Sequence, residues 1–334
     1  LKKKGGGLQL KLVLFTVVLV LMVSLLVSIP LGFLMLQTQE QSLSKGLKDR
    51  VNVLLESISS GTKAYMPSEN VLELSYLPGQ SSALQEANFV TITGFKSNEN
   101  ENENNSLNYV WASNDQKVVG NEELIIDTKS FTPGISQITD ESILAISQNC
   151  KEINSKAKEI VGEIGNNIAK LNLEGATLAL KTDNASVTRR NEIADITTQL
   201  TTRLTESLNT LSIENISSYP VYDASILDRE NTEYLFYRPV LYRFGSSQNY
   251  VRAIVYISVS TKTLIDELEV GQNKIMITAF FIALFAVIIG TICAIMLASI
   301  IVNPIRRLAK HVQMIGQTVD KEKLAGKEIE IKSK

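Results

Sequence analysis

Residues 275–302 read IMITAFFIALFAVIIGTICAIMLASIIV, 28 consecutive positions without a charged side chain. A second uncharged stretch, the 25 residues 12–36, lies near the other end of the chain between Lys11 and Glu40. A bilayer core of ~30 Å needs about 20 apolar residues in a helix that rises 1.5 Å per residue. Each stretch is therefore predicted to cross a membrane once, as transmembrane helices 12–36 and 275–302.

The first stretch could instead be a cleaved signal peptide. Its apolar run is longer than the roughly 7 to 15 residues that are usual in such peptides, and residues 32–41 contain no A-x-A-like cleavage site. We therefore expect residues 12–36 to be retained as a membrane helix.

Charge indicates that both ends of the chain lie on the same side of the membrane. Residues 37–274 carry 21 Lys and Arg against 31 Asp and Glu, a net charge of 21 − 31 = −10, whereas the two flanks carry 12 − 4 = +8. Because an excess of Lys and Arg marks cytoplasmic segments, residues 1–11 and 303–334 are predicted to be cytoplasmic and residues 37–274 extracytoplasmic. The acidic exterior gives no reason to expect nucleic-acid binding.

The cysteine and histidine counts exclude several chemistries from the exterior segment. Cys150 is its only cysteine, and the only histidine of the chain is His311. A disulfide within the segment, Ser-His-Asp or Cys-His catalysis, and a zinc site built from His and Cys all lack their residues there. We expect no metal, no cofactor and no catalytic residue, and hence no enzymatic activity in this chain.

The exterior segment begins with a helix and two strands. Apolar residues at helical spacing predict that the first span continues out of the membrane and ends before Pro67. Phe89–Phe95 and Asn108–Ser113 are predicted strands, joined by a solvated loop at 97–106 that consists mostly of Asn and Glu. The helical positions are Leu43, Leu47, Val51, Leu54, Leu55 and Ile58.

Two longer helical stripes predict an antiparallel helical hairpin at about 140–213. Asp140 is the predicted N-cap of the first helix, and Leu173–Ser186 is the predicted connection. The first stripe comprises Ile146, Cys150, Ile153, Ala157, Ile160, Ile164, Ile168 and Leu171, and the second comprises Ile193, Ile196, Leu200, Leu204, Leu208 and Leu211.

Residues 234–243 and 250–259 predict a β-hairpin. Alternate positions of its second strand are all apolar from Val251 to Val259, so this face must pack on a helix. Pro239 cannot donate to a ladder, which predicts an edge strand or a bulge at that point. The chain becomes helical after Ser260, with no convincing helix breaker until Asn303-Pro304, so the last strand should lead directly into the second span.

This order of elements resembles the Cache-type, PAS-like extracellular sensor domains of bacterial receptors. Tyr109–Asp115 and Tyr250–Leu264 are the most similar stretches, whereas the amino-acid-binding signature of some double Cache domains is not visible. The long helical hairpin also departs from a minimal Cache domain. The resemblance implies a membrane protein of the α+β class in the inner (cytoplasmic) membrane, with a Cache-like sensor domain at 37–274.

Residues 303–334 resemble the beginning of a HAMP linker domain. Pro304-Ile-Arg-Arg-Leu-Ala309 follows the second span, and apolar residues recur at steps of 3, 4, 3 and 4 from Ile305 to Val319. The resemblance implies a parallel homodimer, and the alternative is a plain juxtamembrane amphipathic helix. The residues expected to relay a signal are Pro304, Ile305, Leu308, Val312 and Ile315.

The predicted function is that of the sensory part of a transmembrane receptor, which would detect an extracytoplasmic stimulus and relay it through the second span and HAMP to an output domain after Lys334. The resemblance to HAMP receptors favours a PP2C-type serine phosphatase as the output domain, with a nucleotide cyclase, a chemotaxis domain or a histidine kinase as alternatives. The competing hypothesis is a membrane-anchored interaction or structural protein that transmits nothing. Small residues that would let helices approach closely in the membrane occur at Ala279, Ala283, Ala286, Gly290, Ala294 and Ala298.

A ligand site is predicted from polar and aromatic residues on three strands. If their faces coincide on one side of the sheet, they line a pocket suited to a small carboxylate or another anion. The alternative is that the arginines pair with acidic residues of the helices and the aromatic rings belong to the core. The six residues are Tyr109, Trp111, Arg238, Tyr242, Arg252 and Tyr256.

Overall fold

A computed structural model describes residues 6–96, 107–120, 139–245 and 247–317. The predicted loop at 97–106, the last position of the predicted HAMP row, Val319, and everything else after residue 317 lie outside the described residues. The chain forms two compact units, Glu40–Glu267 and a helical unit made from its two ends, Leu1–Gln39 and Leu268–Lys334.

Two long helices contain the uncharged stretches. Helix α1 spans Gly6–Tyr65 and helix α5 spans Lys262–Gln317. Within the described residues these two helices are long and apolar enough to cross a membrane, as the sequence predicts. The end of α1 before Pro67 is also as predicted.

Helix α5 differs from the prediction at its C-terminal end, because it is not interrupted at Asn303-Pro304. Proline removes one i→i−4 hydrogen bond and costs about 3 kcal/mol in a helix interior. The helical residues on both sides of Pro304 retain their own hydrogen bonds, and this single defect does not end the helix.

The small residues of α5 contact α1 inside the helical unit. A Cβ atom at Gly290 would lie 3.0 Å from Cγ1 of Val20, and Ala294 is fully buried. Glycine therefore allows the two helices to approach closely at this point. At Gly290 the stripe serves packing within one chain.

The described residues of Glu40–Glu267 form one antiparallel sheet of five strands in the order β2-β1-β5-β4-β3. Strand β5 lies at its centre, and every residue from Val251 to Val259 is buried. Both predicted strand pairs are present, but β3 was not predicted because three residues are too few to show a period. The strands are β1 (Ala87–Gly94), β2 (Tyr109–Ser113), β3 (Ser217–Tyr219), β4 (Glu233–Leu241) and β5 (Val251–Ser260).

Strand β4 is not the edge strand expected for Pro239, because β3 pairs with it. This pairing covers only Leu235 to Tyr237, so no strand pairs with Pro239 on that side and its missing N–H is not needed there. The pairing of β4 with β5 also shifts register between Val240 and Leu241. This bulge places Arg252 as the extra residue of β5, because Val240 pairs with Ala253 and Leu241 with Val251.

One face of the sheet, called here the hairpin face, is covered by the predicted helical hairpin. Helices α3 (Asp140–Leu178) and α4 (Asn184–Glu214) pack against each other and against strands β4 and β5. Their shared core includes Ile146, Cys150, Ile153, Ala157, Ile164, Leu204, Leu208 and Leu211, all of which belong to the predicted stripes. Asn154 fixes α3 to the start of β5, since its Oδ1 accepts from the Tyr250 amide at 2.7 Å.

The ends of the hairpin helices differ from the prediction. Thr139 is the N-cap of α3 and forms a capping box with Ser142, one residue before the predicted Asp140. Only residues 179–183 connect the helices, so most of the predicted connection Leu173–Ser186 is helical. A single Gly175 costs only about 1 kcal/mol in a helix, too little to end it.

The other face of the sheet, called here the α1 face, is covered by the part of α1 beyond the apolar stretch. Ser44 of α1 hydrogen-bonds the hydroxyl of Tyr222 at 2.8 Å, and the Tyr222 ring contacts Tyr234 and Phe236 of β4. A short helix, α2 (Val71–Tyr76), and two flanking 3-10 turns that were not predicted follow α1. Five of the six predicted apolar positions of α1 are buried, and the sixth, Leu43, is half-buried; the buried ones are Leu47, Val51, Leu54, Leu55 and Ile58.

Candidate functional site

The sheet separates two of the six predicted ligand residues. Tyr256 pairs with Tyr237, and both rings lie in the core of the hairpin face. Arg238 is the next residue of β4 and pairs with Val255, so it lies on the α1 face. These side chains therefore cannot line one pocket.

Tyr256 and Tyr237 are core residues. The Tyr237 hydroxyl accepts from Asn149 at 2.8 Å. Burial raises the pKa of both tyrosines. The two rings fill the space between sheet and α3, in line with the alternative that the aromatic residues are core.

Tyr109, Trp111 and Arg252 come together around Phe95 at the end of β1. The guanidinium carbon of Arg252 lies 5.1 Å from the centre of the Phe95 ring and 5.0 Å from the centre of the Phe244 ring. The Trp111 indole donates to the Phe95 carbonyl at 2.9 Å, and Tyr109 packs edge-to-face on Trp111. Two aromatic rings are thus within cation–π distance of the guanidinium, which stabilises the cation.

Tyr242 follows the end of β4 and is half-buried. Its amide donates to the Tyr250 carbonyl at 3.0 Å and so closes the β4–β5 connection. This contact involves the backbone of Tyr242 and not its side chain.

Arg238 lines a small cavity at the edge of the sheet, called here the Arg238 cavity. It lies where α1, α4 and β4 meet, beyond the last residue of β4 that β3 covers. The volume of the cavity is about 10 Å³, which is room for one water molecule or one small ion. The lining residues are Ser59, Ser60, Lys63, Asn209, Ser212, Arg238, Val240 and Leu241.

Hydrogen bonds hold the Arg238 side chain in place from one side only. Nε of Arg238 donates to Oγ of Ser212 at 2.9 Å, and this hydroxyl donates to the Pro239 carbonyl at 2.6 Å. Arg238 is only 2% exposed. Its Nη1 atom and the Oγ of buried Ser59 make no hydrogen bond with any described residue.

The electrostatics of the cavity are those of two neighbouring cations. Burial lowers the pKa of Lys63, and the positive charge of Arg238 lowers it further. Burial also lowers the pKa of Arg238, and the negative charge of Glu56 partly offsets this lowering. The cavity therefore has a surplus of positive charge in a poorly solvated place.

A second, open groove lies nearer the start of α1, where Lys45, Lys48 and Asp49 face residues 221–225. Its volume of about 920 Å³, exposed Lys45 and half-buried Lys48 are typical of a solvated surface. It shares no residue with the Arg238 cavity. Among the described residues, no group of three or more His, Cys, Asp and Glu side chains is placed to hold a metal ion.

The end of β5 is tied to both neighbouring strands before α5 begins. The Ser260 amide donates to the Glu86 carbonyl at 2.8 Å, just before β1. Thr261, which is fully buried, donates from its amide and its Oγ1 to the Thr232 carbonyl at 2.7 and 3.1 Å, just before β4. The Ile265 amide already donates back to Thr261 at 3.0 Å, so no flexible residue separates strand from helix.

The predicted relay residues Pro304, Ile305, Leu308, Val312 and Ile315 all lie in α5. Ile305, Leu308 and Val312 are exposed in the single chain, Leu308 by 65%. The side chain of Ile315 is not among the described ones. An apolar row at heptad spacing that is exposed on one copy is typical of a helix that has a partner.

Sequence reasoning missed Ser59, Lys63 and Ser212 as neighbours of Arg238. A signal for two of them exists, because Leu55, Ser59 and Lys63 follow one another at steps of four on one face of α1. Two polar residues that continue a buried apolar row mark a position where the helix faces something polar.

Comparisons of the chain with protein-family models, with curated proteins and with solved structures find no significant match.

Proposed function

We propose that this chain is the sensory part of a transmembrane receptor, in which Glu40–Glu267 responds to an extracytoplasmic stimulus and α5 carries the response across the membrane. The observation that carries the proposal is the junction of β5 and α5. A change in the position of the central strand would pass into the first turn of α5, because hydrogen bonds on both sides fix the junction and no linker intervenes.

The continuity of α5 supports a relay by a rigid element. The helix runs from Lys262 to Gln317, and a helix that shifts, rotates or tilts as a unit is one of the known ways to couple distant sites. Ile305, Leu308 and Val312 would form the seam of a parallel homodimer, from which a HAMP-like bundle passes the signal to an output domain. As the type of output, a PP2C-type phosphatase remains the preferred expectation, with cyclase, chemotaxis and kinase domains as alternatives.

The orientation follows from charge. The net charge of 21 − 31 = −10 on residues 37–274 and of 12 − 4 = +8 on the flanks supports cytoplasmic ends and an exterior sensor domain.

Coupling can be tested with the full chain fused after Lys334 to a reporter kinase, whose autophosphorylation is measured in membrane vesicles. Val255→Ala, which removes a fully buried side chain from β5, should change reporter activity about twofold or more. Inserting Gly-Ser-Gly-Ser between Ser260 and Thr261 should abolish this response. The same insertion between Thr182 and Asp183, at the tip of the hairpin, is the matched control and should preserve it.

The receptor proposal is wrong if the reporter, with the fusion in the membrane, ignores Val255→Ala and the junction insertion alike. That outcome would favour an anchored protein that transmits nothing.

Topology can be tested by labelling intact cells with a membrane-impermeant maleimide. Buried Cys150 should react only after mild unfolding, whereas Ser147→Cys, placed on exposed α3 surface in a Cys150→Ser background, should react at once. Lys310→Cys should react only after permeabilisation. The reverse pattern would contradict the proposed orientation.

The dimer seam can be tested by crosslinking single cysteines placed from 304 to 317 in membranes. Crosslinking should peak at Ile305, Leu308 and Val312 and fall between them, as the heptad period requires. A flat profile would mean that α5 has no partner copy at this seam.

A further inference from the structure

The Arg238 cavity presents several hydrogen-bond donors and little to receive them. Nη1 of Arg238 and Oγ of Ser59 make no hydrogen bond with any described residue, and Lys63 and Asn209 also line the space. A guanidinium buried to this degree is costly unless an opposite charge or several acceptors meet it. The chemistry of the lining is that of an anion site.

Charge decides between a water molecule and an anion as the occupant. A water molecule could accept hydrogen bonds from Arg238 and Ser59, but it would leave the surplus charge of Arg238 and Lys63 unchanged. Glu56 acts on Arg238 through its charge alone and forms no ion pair with it in the described structure. An anion would both accept the hydrogen bonds and offset the two cations.

Volume decides the size of the anion. The cavity volume of about 10 Å³ leaves room for a single atom. A carboxylate or a sulfate would have to displace Val240 and Leu241, which line the same space.

We propose that the Arg238 cavity binds one chloride-sized anion, held by Arg238, Lys63 and Ser59. The site links α1 to β4 and, through Ser212, to α4, at the edge where β3 no longer covers β4. Occupancy therefore stabilises the attachment of α1 to the sheet. This proposal does not depend on the receptor function.

The test uses the full chain in detergent micelles, with chloride exchanged for gluconate at constant ionic strength. Far-UV circular dichroism follows thermal unfolding. Going from 0 to about 150 mM chloride should raise the Tm by about 2 to 4 °C and saturate. Bromide should act in the same way, whereas acetate and sulfate should not.

Three variants locate the effect. Ser59→Ala and Lys63→Met should abolish the chloride dependence of the Tm, and the Tm of each in gluconate shows that it folds. Lys48→Met is the matched control, because Lys48 lies on the same helix but lines the open groove, and it should keep the full chloride shift.

Binding itself can be measured by the broadening of the chloride NMR line on addition of protein. The broadening should be present in the parent chain and in Lys48→Met and lost in Ser59→Ala. Three results would overturn the proposal: a Tm that is equal in chloride and gluconate, a chloride shift that survives in Ser59→Ala and Lys63→Met, or a larger shift with acetate or sulfate than with chloride.

Discussion

The two faces of the sheet bury ionisable groups of opposite kinds. The hairpin face buries the thiol of Cys150 and the phenols of Tyr237 and Tyr256, and burial raises their pKa values, that of Cys150 to about 12. The α1 face buries Arg238 and half-buries Lys63, and burial lowers the pKa of both. In each case the poorly solvated interior favours the uncharged form.

The same physical cause has different consequences on the two faces. A thiol or a phenol is already neutral at pH 7, so the hairpin face buries these groups without a charge cost. An arginine or a lysine is charged at pH 7, so the α1 face retains a cost that only a partner can offset. For this reason the hairpin face is ordinary core, and the proposed anion site lies on the α1 face.

The largest effect should come from removing apolar volume at the hairpin face. Ile153→Ala, at a residue 1% exposed between α3 and the sheet, should lower the free energy of unfolding by about 2 to 5 kcal/mol. Urea unfolding of the full chain in micelles, followed by circular dichroism, measures it. The control is Leu144→Ala on the same helix, 70% exposed, which should change stability by less than about 0.5 kcal/mol. Equal losses in both variants would show that α3 does not pack through this face.

A smaller loss of stability should appear when the pH rises past the ordinary pKa of the Cys150 thiol. The pKa of the Cys150 thiol is about 12 in the folded chain and 9.0, its ordinary value, in the unfolded chain. The stability that this group contributes is complete below pH 9.0 and declines above it, by about 1.4 kcal/mol at pH 10. Urea midpoints at several pH values should fall less steeply in Cys150→Ala than in the parent chain. Parallel profiles would contradict the burial of this thiol.

The stability that depends on Lys63 should change with pH in the opposite direction. The change should be smaller than for Cys150, because Lys63 is only half-buried. The folded chain releases its proton at a lower pH than the unfolded chain, whose value is 10.5. The contribution of Lys63 to stability therefore rises with pH from its lowered pKa up to 10.5. In gluconate, the stability of the parent chain minus that of Lys63→Met should rise over this range, and chloride should flatten the rise. A difference that falls with pH would mean that Lys63 already has a stabilising partner.

The smallest effect should come from the tip of the hairpin, away from both faces. Arg189 makes two hydrogen bonds to Glu174, at 2.7 and 3.2 Å, but both side chains are well exposed. Water and salt screen such pairs, so Arg189→Ala should leave the unfolding midpoint unchanged within error. A clear loss of stability would indicate that the tip contributes to the folded core after all.

Local periodicity was enough to predict most of the elements. The apolar row from Ile146 to Leu171 predicted α3, and the alternation from Val251 to Val259 predicted β5. The prediction that Val251 shares a face with the other alternate residues was wrong, because the bulge at Arg252 puts Val251 in the core of the hairpin face. The caps and the connection were predicted less well, because Thr139 and Asp140 are equally good capping residues in sequence and the propensity of Gly175 is outweighed by its neighbours. Strand β3 is too short to carry a period.

The ligand site could not be predicted from the same patterns. The sequence correctly places Arg238 and Tyr256 on single faces of their own strands, but the pairing of Tyr237 with Tyr256 puts these two side chains on opposite sides of the sheet. This pairing depends on the β4–β5 connection and on the bulge at Arg252, neither of which has a periodic signal.

The sequence by itself determined the two apolar helices, the charge difference between residues 37–274 and the ends, four of the five strands and the helical hairpin, because hydrophobic period and length act within one segment. Only the tertiary structure decided that Arg238 meets Ser59 and Lys63 of α1, residues far away in the chain. Such a meeting depends on strand register and on which helix covers which face. These are set by packing the whole unit, since burying the largest apolar area leaves the polar side chains wherever the register places them.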